Sequence, residues 1–411
     1  MKALVLAGSC SQIVLLQQLK ERGIYSVLAD NNEQAVARPY ADTFEKADLL
    51  NIDAIKEVAK KHEVDMILSV CADQVLITAA KVSEDLGLPC YIDYETACNV
   101  SDKGYMKETF EKFDIPTSKH IFISELKEEK IKGMEYPLVV KPADAYSSKG
   151  VRKATNFEEL EAFFAEAEKI SRSGFVIVEE FNEGFELTAD FQVVDGKAVL
   201  LTVSNTEKVN YQDRFVAFRT RNPAAVSQET VERIKGIGQK IAEAFRLKDT
   251  PMLVQLISNG KKESVLEFCA RTGGGAKCLL IKMMTGFDPI TAVLDLTLGN
   301  KVTVGEIKPV SKHFVNEFLY AYPGEFDRLE GFEELKEEGI IADYWQFKNK
   351  GAQIKSAVSS SDRIASITII AETFEELVQK HNIAASRIKI ADVNGKDMMR
   401  HDLLTDIEEL N

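Results

Sequence analysis

The residues best suited to chemistry lie in one short stretch. Glu267 and Arg271 stand four positions apart within residues 265–275, where an apolar run at 264–268 gives way to three consecutive glycines, 273–275. A carboxylate carried on a strand is a rigid hard-oxygen donor of the kind Mg²⁺ takes. An arginine just past the strand end can clamp a transferring phosphoryl group. Glycines let backbone approach an anion. The segment Ser258-Asn259-Gly260-Lys261 predicts a hairpin between residues 252–257 and 264–268. Counting outward from that turn puts Gln255 and Glu267 on one face of neighbouring strands. A carboxylate beside an amide oxygen suits Mg²⁺ or Mn²⁺ with phosphate oxygens completing the shell. Cys269 shares the Glu267 face, and a thiol is a poor ligand for Mg²⁺. Taken alone, the stretch reads equally well as a strand, an exposed arginine and a glycine turn.

Other candidates lie upstream. Residues 101–113 have a helical pattern with Ser101 or Asp102 as N-cap. Lys103 then sits near the helix start, where the dipole disfavours a cation. Either an anion binds nearby or the lysine is simply solvated. Lys141 closes a short apolar strand at 136–142, and the loop Asp144-Ala145-Tyr146-Ser147-Ser148-Lys149-Gly150 follows. Such a loop offers N–H groups and hydroxyls to phosphate, although a solvated hairpin has the same composition. It is not a Walker A loop, because GxxxxGK[ST] is absent. The apolar strand at 175–178 runs into an acidic hinge, Glu179-Glu180-Phe181-Asn182, with Glu186 beyond it. Free backbone groups there can read an adenine edge, with a carboxylate on ribose hydroxyls. An edge strand guarded by charges is the plainer reading. Arg214, Arg219 and Arg221 cluster with Lys208 in a segment without clear periodicity. They suit a substrate carboxylate or phosphate, or a solvated loop.

The elements that must position these residues begin with a strand at 2–7, a helix at 11–21 and a strand at 25–29. A helix at 52–62, a strand at 64–70 and a helix at 73–86 continue the alternation, so the first hundred residues read as a small doubly wound α/β unit. Its first turn, Gly8-Ser9-Cys10, holds one glycine where a dinucleotide fingerprint needs three, although Asp30 ends the second strand. An NAD-dependent oxidoreductase is therefore disfavoured. Further on come a helix at 158–171, a hairpin about Asp195-Gly196 and a helix at 227–245. From about residue 308 the pattern turns to α+β, with strands at 313–320 and 364–371 and helices at 331–336 and 373–380. His313 and Trp345 in that tail read as structural.

Bulk properties narrow the class. The chain has 411 residues, a net charge of −14, 45% hydrophobic and 28% charged residues. These values describe a soluble protein with a sizeable core and argue against nucleic acid or an anionic membrane as principal partner. Six cysteines without a CxxC pair read as reduced cytoplasmic thiols. No apolar run of about 18 residues exists for a membrane span, and the N-terminal apolar run is too short for a signal peptide. The five histidines are scattered, with no HxH or HExxH, so a His-based zinc site is not expected.

The ordered set Lys103, Lys141, Ser147-Ser148-Lys149-Gly150, Glu179-Glu180, Glu186, Gln255, Glu267 and Arg271 resembles the ATP-grasp superfamily of ligases. Among them it is most similar to the carbamoyl-phosphate synthetase, purine-biosynthesis and L-amino-acid ligase group. The resemblance implies multi-domain α/β and α+β architecture: a doubly wound, Rossmann-like pre-ATP-grasp domain over 1–99, an ATP-grasp domain over 100–307 with a mobile lid at about 118–183, and a C-terminal α+β subdomain over 308–411. It implies that Lys103, Lys141, Ser147, Ser148, Lys149 and Gly150 hold ATP phosphates. Glu179, Glu180, Phe181 and Asn182 would serve as the adenine hinge and Glu186 would bind ribose. Gln255 and Glu267 would ligate Mg²⁺ or Mn²⁺, with Cys269 where the family usually has Asn. Arg271 would be the catalytic arginine, and Arg219, Arg221, Gly273 and Gly274 are substrate candidates. The implied activity is an ADP-forming carboxylate–amine ligase working through an acyl phosphate on an amino acid or other small carboxylate. The alternatives are a phosphoribosylglycinamide-synthetase-like ligase or carboxylase and a catalytically impaired ATP-binding protein. Small-molecule carboxylate and amine substrates are the expected partners, with a homodimer as the candidate assembly.

Overall fold

The computed structural model describes residues 1–145, 149–211, 214–274, 276–308, 310–355 and 360–409. The N-terminal alternation forms β1 (Lys2–Leu6), α1 (Cys10–Glu21), β2 (Tyr25–Asp30), β3 (Thr43–Lys46), α2 (Ile52–His62), β4 (Met66–Leu68) and α3 (Leu76–Leu86). The strands make a parallel sheet in the order β3-β2-β1-β4. β3 was not expected: Thr43–Lys46 is only half-buried and charged at two of four positions. Two short helices follow, α4 (Tyr94–Ser101), which was not expected, and α5 (Lys103–Lys112), which matches the helix expected over 101–113. Asp102 caps the second by accepting from the Tyr105 amide.

A four-stranded antiparallel sheet, in the order β5-β8-β6-β7, comes next. It contains β5 (His120–Ile123), β6 (Leu138–Pro142), β7 (Arg152–Ala154) and β8 (Val176–Glu180), with α6 (Phe157–Ile170) packed on it. The largest sheet has eight strands. It draws on β9 (Phe185–Val194), β10 (Lys197–Tyr211), β11 (Arg214–Asn222), β12 (Thr250–Ser258), β13 (Glu263–Cys269) and β14 (His313–Leu319). After the last of these come β15 (Gly324–Glu330), α10 (Phe332–Glu337), β16 (Asp343–Gln346), β17 (Gln353–Ile354), β18 (Ala365–Ala371), α11 (Phe374–Arg387) and β19 (Lys389–Asp392). The order in the large sheet is β13-β12-β9-β10-β11-β14-β18-β16, so it runs without a break past residue 308. A small sheet, β17-β15-β19, completes the C-terminal part.

Apolar spacing explains the helical cover. α7 (Gln228–Ala244) buries Ile234, Ile237 and Ile241, three and four positions apart, against the large sheet. The helices α8 (Lys277–Thr285) and α9 (Pro289–Thr297) follow β13, and Ile290, Val293 and Leu294 of α9 join α1 on one face of the N-terminal sheet. The opposite face is covered by α2 and α3. Gln18 of α1 thereby bonds Asp288 at the start of α9, 270 residues away. No helix among the described residues is long and apolar enough to cross a membrane.

Candidate active site

A cavity of about 820 Å³ opens between the β5–β8 sheet and the large sheet. Its wall collects residues from most of the chain. The Asn259-Gly260 turn pairs Leu256 with Val265, and a one-residue shift at Leu266 then sets Gln255 directly opposite Glu267 and Leu253 opposite Cys269. Gln255, Glu267 and Cys269 all line the cavity. Lys103, the first residue of α5, brings its Nζ to 3.4 Å from Glu267 Oε2 and donates to the Ala145 carbonyl at 2.9 Å. The dipole-opposed lysine thus has a carboxylate partner. Lys103 is also the chief reason that the Glu267 carboxyl lies below its ordinary range; burial opposes this and Lys141 reinforces it. Glu267 is ionised at neutral pH.

Lys141 on β6 reaches Glu179 Oε1 at 2.6 Å. The other oxygen of Glu179 lies 3.0 Å from Lys107 Nζ, which also donates to Thr117 at 2.6 Å. Glu179 is therefore a buried carboxylate held between two ammonium groups. Burial alone would raise its pKa, but Lys141 and then Lys107 outweigh it and bring it to about 2. Lys107 itself is pushed down by burial, with Glu179 resisting. Lys107 lies four residues after Lys103 on the same helix, but nothing in its local sequence marks it as part of the site. Glu179→Ala is expected to lower folding stability by about 3–5 kcal/mol, since removing one member of a buried ionic set strands the others. Urea denaturation at pH 7 measures this. The folded pKa of about 2 lies below the ordinary 4.5, so the stabilisation is present above pH 4.5 and lost as pH falls from 4.5 towards 2. Acid unfolding of Glu179→Gln should lack that component.

The hinge residues Glu179, Glu180, Phe181 and Asn182 line the same cavity. The Asn182 amide donates to Ser118 Oγ at 2.5 Å and to Ser264 Oγ at 3.0 Å, joining the smaller sheet to β13. Glu186 on β9 lines the wall 2.5 Å from Lys208 Nζ. Lys149 also lines it. Gly150 lies beneath, at φ +75°, where a Cβ would come within 2.8 Å of Ile170 and 2.9 Å of Pro142. Ser147 and Ser148 lie outside the described residues.

Other candidates fall elsewhere. Arg271 is absent from the cavity wall, and Asp73 stands there in its stead. The arginine forms a two-pronged pair with Asp73, Nε to Oδ1 and Nη2 to Oδ2, both 2.5 Å. Its Nη1 donates to the Thr272 carbonyl. Asp73, just past β4, was not foreseen; its position beyond the carboxyl end of a parallel strand is where α/β sheets carry functional groups. Gly273 and Gly274 also lie off the wall. A Cβ on Gly273 would meet Lys277 at 2.9 Å and Asp190 at 3.1 Å.

Arg219 corrects the expectation of a substrate contact. Its side chain is 1% exposed and bonded to Glu317 and Glu207, and to the carbonyls of Thr405 and Asp406. Arg221 does line the cavity, but it pairs with Glu207 at 2.5 Å and donates to the Glu408 carbonyl at 2.6 Å. Both belong to β11 rather than to a loop. The two arginines moor the C-terminal segment, whose Thr405, Asp406 and Glu408 form part of the wall. No cluster of three or more His, Cys, Asp or Glu suited to a metal occurs among the described residues. Among the oxygen donors at the wall, Gln255 and Glu267 face one another on adjacent strands.

Residues 134–279 match the family model of the ATP-grasp domain. The chain is 21% identical over 293 residues to the carbamoyl phosphate synthase large chain of Clostridium acetobutylicum, covering 69% of this chain and 27% of that one. It therefore spans about a quarter of that relative's length. It is 24% identical over 400 residues to a phosphoribosylamine–glycine ligase of Methanopyrus kandleri, covering 89% of this chain and 86% of the relative. Among solved structures, an L-amino acid ligase from Bacillus licheniformis superposes with a TM-score of 0.80 at 20% identity, over 95% of this chain and 99% of that one. That likeness is one of fold.

Proposed function

This chain carries an ATP-grasp domain, and from that premise we propose that it is an ADP-forming ligase joining a carboxylate to an amine through an acyl phosphate. The phosphoryl acceptor is an amino acid or a similar small carboxylate. The observation that carries this reading is the Gln255–Glu267 pair on adjacent strands of the cavity wall, with Lys103 3.4 Å from the carboxylate. An amide oxygen and an ionised carboxylate are hard donors, and the set fits Mg²⁺ or Mn²⁺. Cys269 adds nothing to it: burial first, then Asp73, raises the thiol well above its ordinary range, and a protonated sulfur is no ligand for a hard cation. Held by Gln255 and Glu267, such an ion would supply neutralisation of phosphate charge.

The remaining work belongs to the chain. Lys103, Lys141 and Lys149 attract the phosphates, while residues 179–182 and Glu186 hold the nucleoside end. The β5–β8 sheet and α6 act as a lid that excludes water from the acyl phosphate. Arg271, held behind the wall by Asp73, swings or acts from there to stabilise charge at the acceptor carboxyl. The amine then attacks the acyl carbon and phosphate leaves.

The alignment with the Methanopyrus kandleri ligase across 89% of the chain favours a second reading, in which the amine is a phosphoribosylamine and the carboxylate is glycine. A screen of carboxylate–amine pairs that includes this one tests both. One pair is expected to drive ADP release at a turnover on the order of 1–10³ s⁻¹. A protein that binds ATP but releases no ADP with any pair would be the impaired form that Cys269 raises, and the ligase reading would be abandoned.

A further inference from the structure

Behind the cavity, where the N-terminal sheet meets the turn after β13, two thiols 207 residues apart in sequence face each other. Cys71 follows β4 at φ +60°, a left-handed conformation uncommon for a residue with a side chain. Its Sγ lies 3.6 Å from the Sγ of Cys278 in the first turn of α8. It also donates to the Gly273 carbonyl at 2.8 Å, and Thr272 Oγ1 lies 3.1 Å from it. The surroundings treat the thiols differently. Hydrogen bonding from Cys278, opposed by burial and helped by Ser11, Thr272 and the Arg271 guanidinium, brings the Cys71 thiol down to about 7. Cys278 is raised by the same hydrogen bond and by burial, and burial pushes nearby Cys10 up to about 12. Cys71 is therefore the thiol that ionises the more readily of the two, and Cys278 the one that keeps its proton.

We propose that Cys71 and Cys278 form an oxidisable site that a two-electron oxidant of the peroxide class converts to a disulfide joining the N-terminal sheet to α8. The Cys71 thiolate attacks one peroxide oxygen, the O–O bond breaks, and the departing hydroxide takes a proton to leave as water. The resulting sulfenic acid is attacked by the Cys278 sulfur. The S–O bond breaks, Cys278 loses its proton, and a second water leaves. Two thiols are oxidised to one disulfide while one peroxide is reduced to two waters. The sulfurs have to close from 3.6 Å to a bond of about 2.05 Å. The new bond ties together the elements on either side of the Asp73–Arg271 pair, since Cys71 lies two residues before Asp73 and Cys278 seven residues after Arg271. The site does not depend on the ligase reading and needs no substrate to be tested.

The test uses the full-length, fully reduced protein with one equivalent of hydrogen peroxide, followed by alkylation of remaining thiols in denaturant and peptide mapping. The expected result is loss of two of the six free thiols, a Cys71–Cys278 linked peptide, and full recovery with dithiothreitol. In Cys278→Ser the sulfenic acid on Cys71 should persist and be captured by dimedone. Retention of all six thiols, first reaction at Cys90 or Cys98, linkage of Cys71 to Cys10, or no dimedone adduct on Cys71 in Cys278→Ser would each overturn the proposal.

Discussion

Glu267→Gln should lower kcat by about 10²- to 10³-fold while nucleotide still binds. The change is nearly isosteric, so the hairpin and its register with Gln255 survive. What it removes is the ionised oxygen pair that Lys103 holds below its ordinary pKa. A metal bound there contributes several kcal/mol of charge stabilisation as phosphoryl transfer proceeds, which corresponds to that range of rate. The loss should appear as a Mg²⁺ requirement shifted to higher concentration, since phosphate oxygens and Gln255 remain. Gln255→Ala should shift it less, because a neutral amide is the weaker ligand. Titration of turnover against Mg²⁺ at fixed ATP reads both. An unchanged Mg²⁺ curve in Glu267→Gln would remove this pair from the metal site.

Arg271→Ala is expected to cost about 10²- to 10³-fold in kcat, the scale for removing a charge-stabilising donor, with little change in the KM for ATP. Its two-pronged bond to Asp73 makes a second, sharper expectation. Asp73→Asn should itself reduce kcat, because the guanidinium loses the partner that orients it. The double variant should be little worse than Arg271→Ala alone, because residues in one ionic unit are not additive. Arg271→Lys should not restore activity, since an ammonium cannot reproduce the paired contact. Additive losses in the double-mutant cycle would mean that Asp73 acts independently of Arg271.

The bulge at Leu266 that brings Glu267 opposite Gln255 leaves no local signal, but the hairpin itself could be read from the sequence because a tight turn with Asn-Gly fixes strand pairing locally. The N-terminal β–α alternation was readable for the same reason, since its apolar runs are continuous. β11 was not readable. Its inward positions include Arg219 and Arg221, whose burial is made possible by Glu207 and Glu317 on neighbouring strands, so apolar alternation is replaced by ion pairs that no local pattern reveals. Asp73 and Lys107 were missed for a related reason. Their partners, Arg271 and Glu179, lie 198 and 72 residues away, and only the folded topology brings them together. The likeness in the order of the lysines and carboxylates pointed to the cavity, but it gave no sign that Arg271 would be faced by a carboxylate.

The mooring of the C-terminal segment has a consequence for how readily the site can change. Arg219 and Arg221 grip residues 405–408 by main-chain carbonyls. Such oxygens are the same whatever amino acid carries them. The side chains of Thr405, Asp406 and Glu408 at the cavity wall can therefore be exchanged while the attachment stays intact. Anchorage and selectivity are carried by different atoms of the same three residues, so this edge of the cavity can be recut for a new acceptor without refolding the domain that bears it.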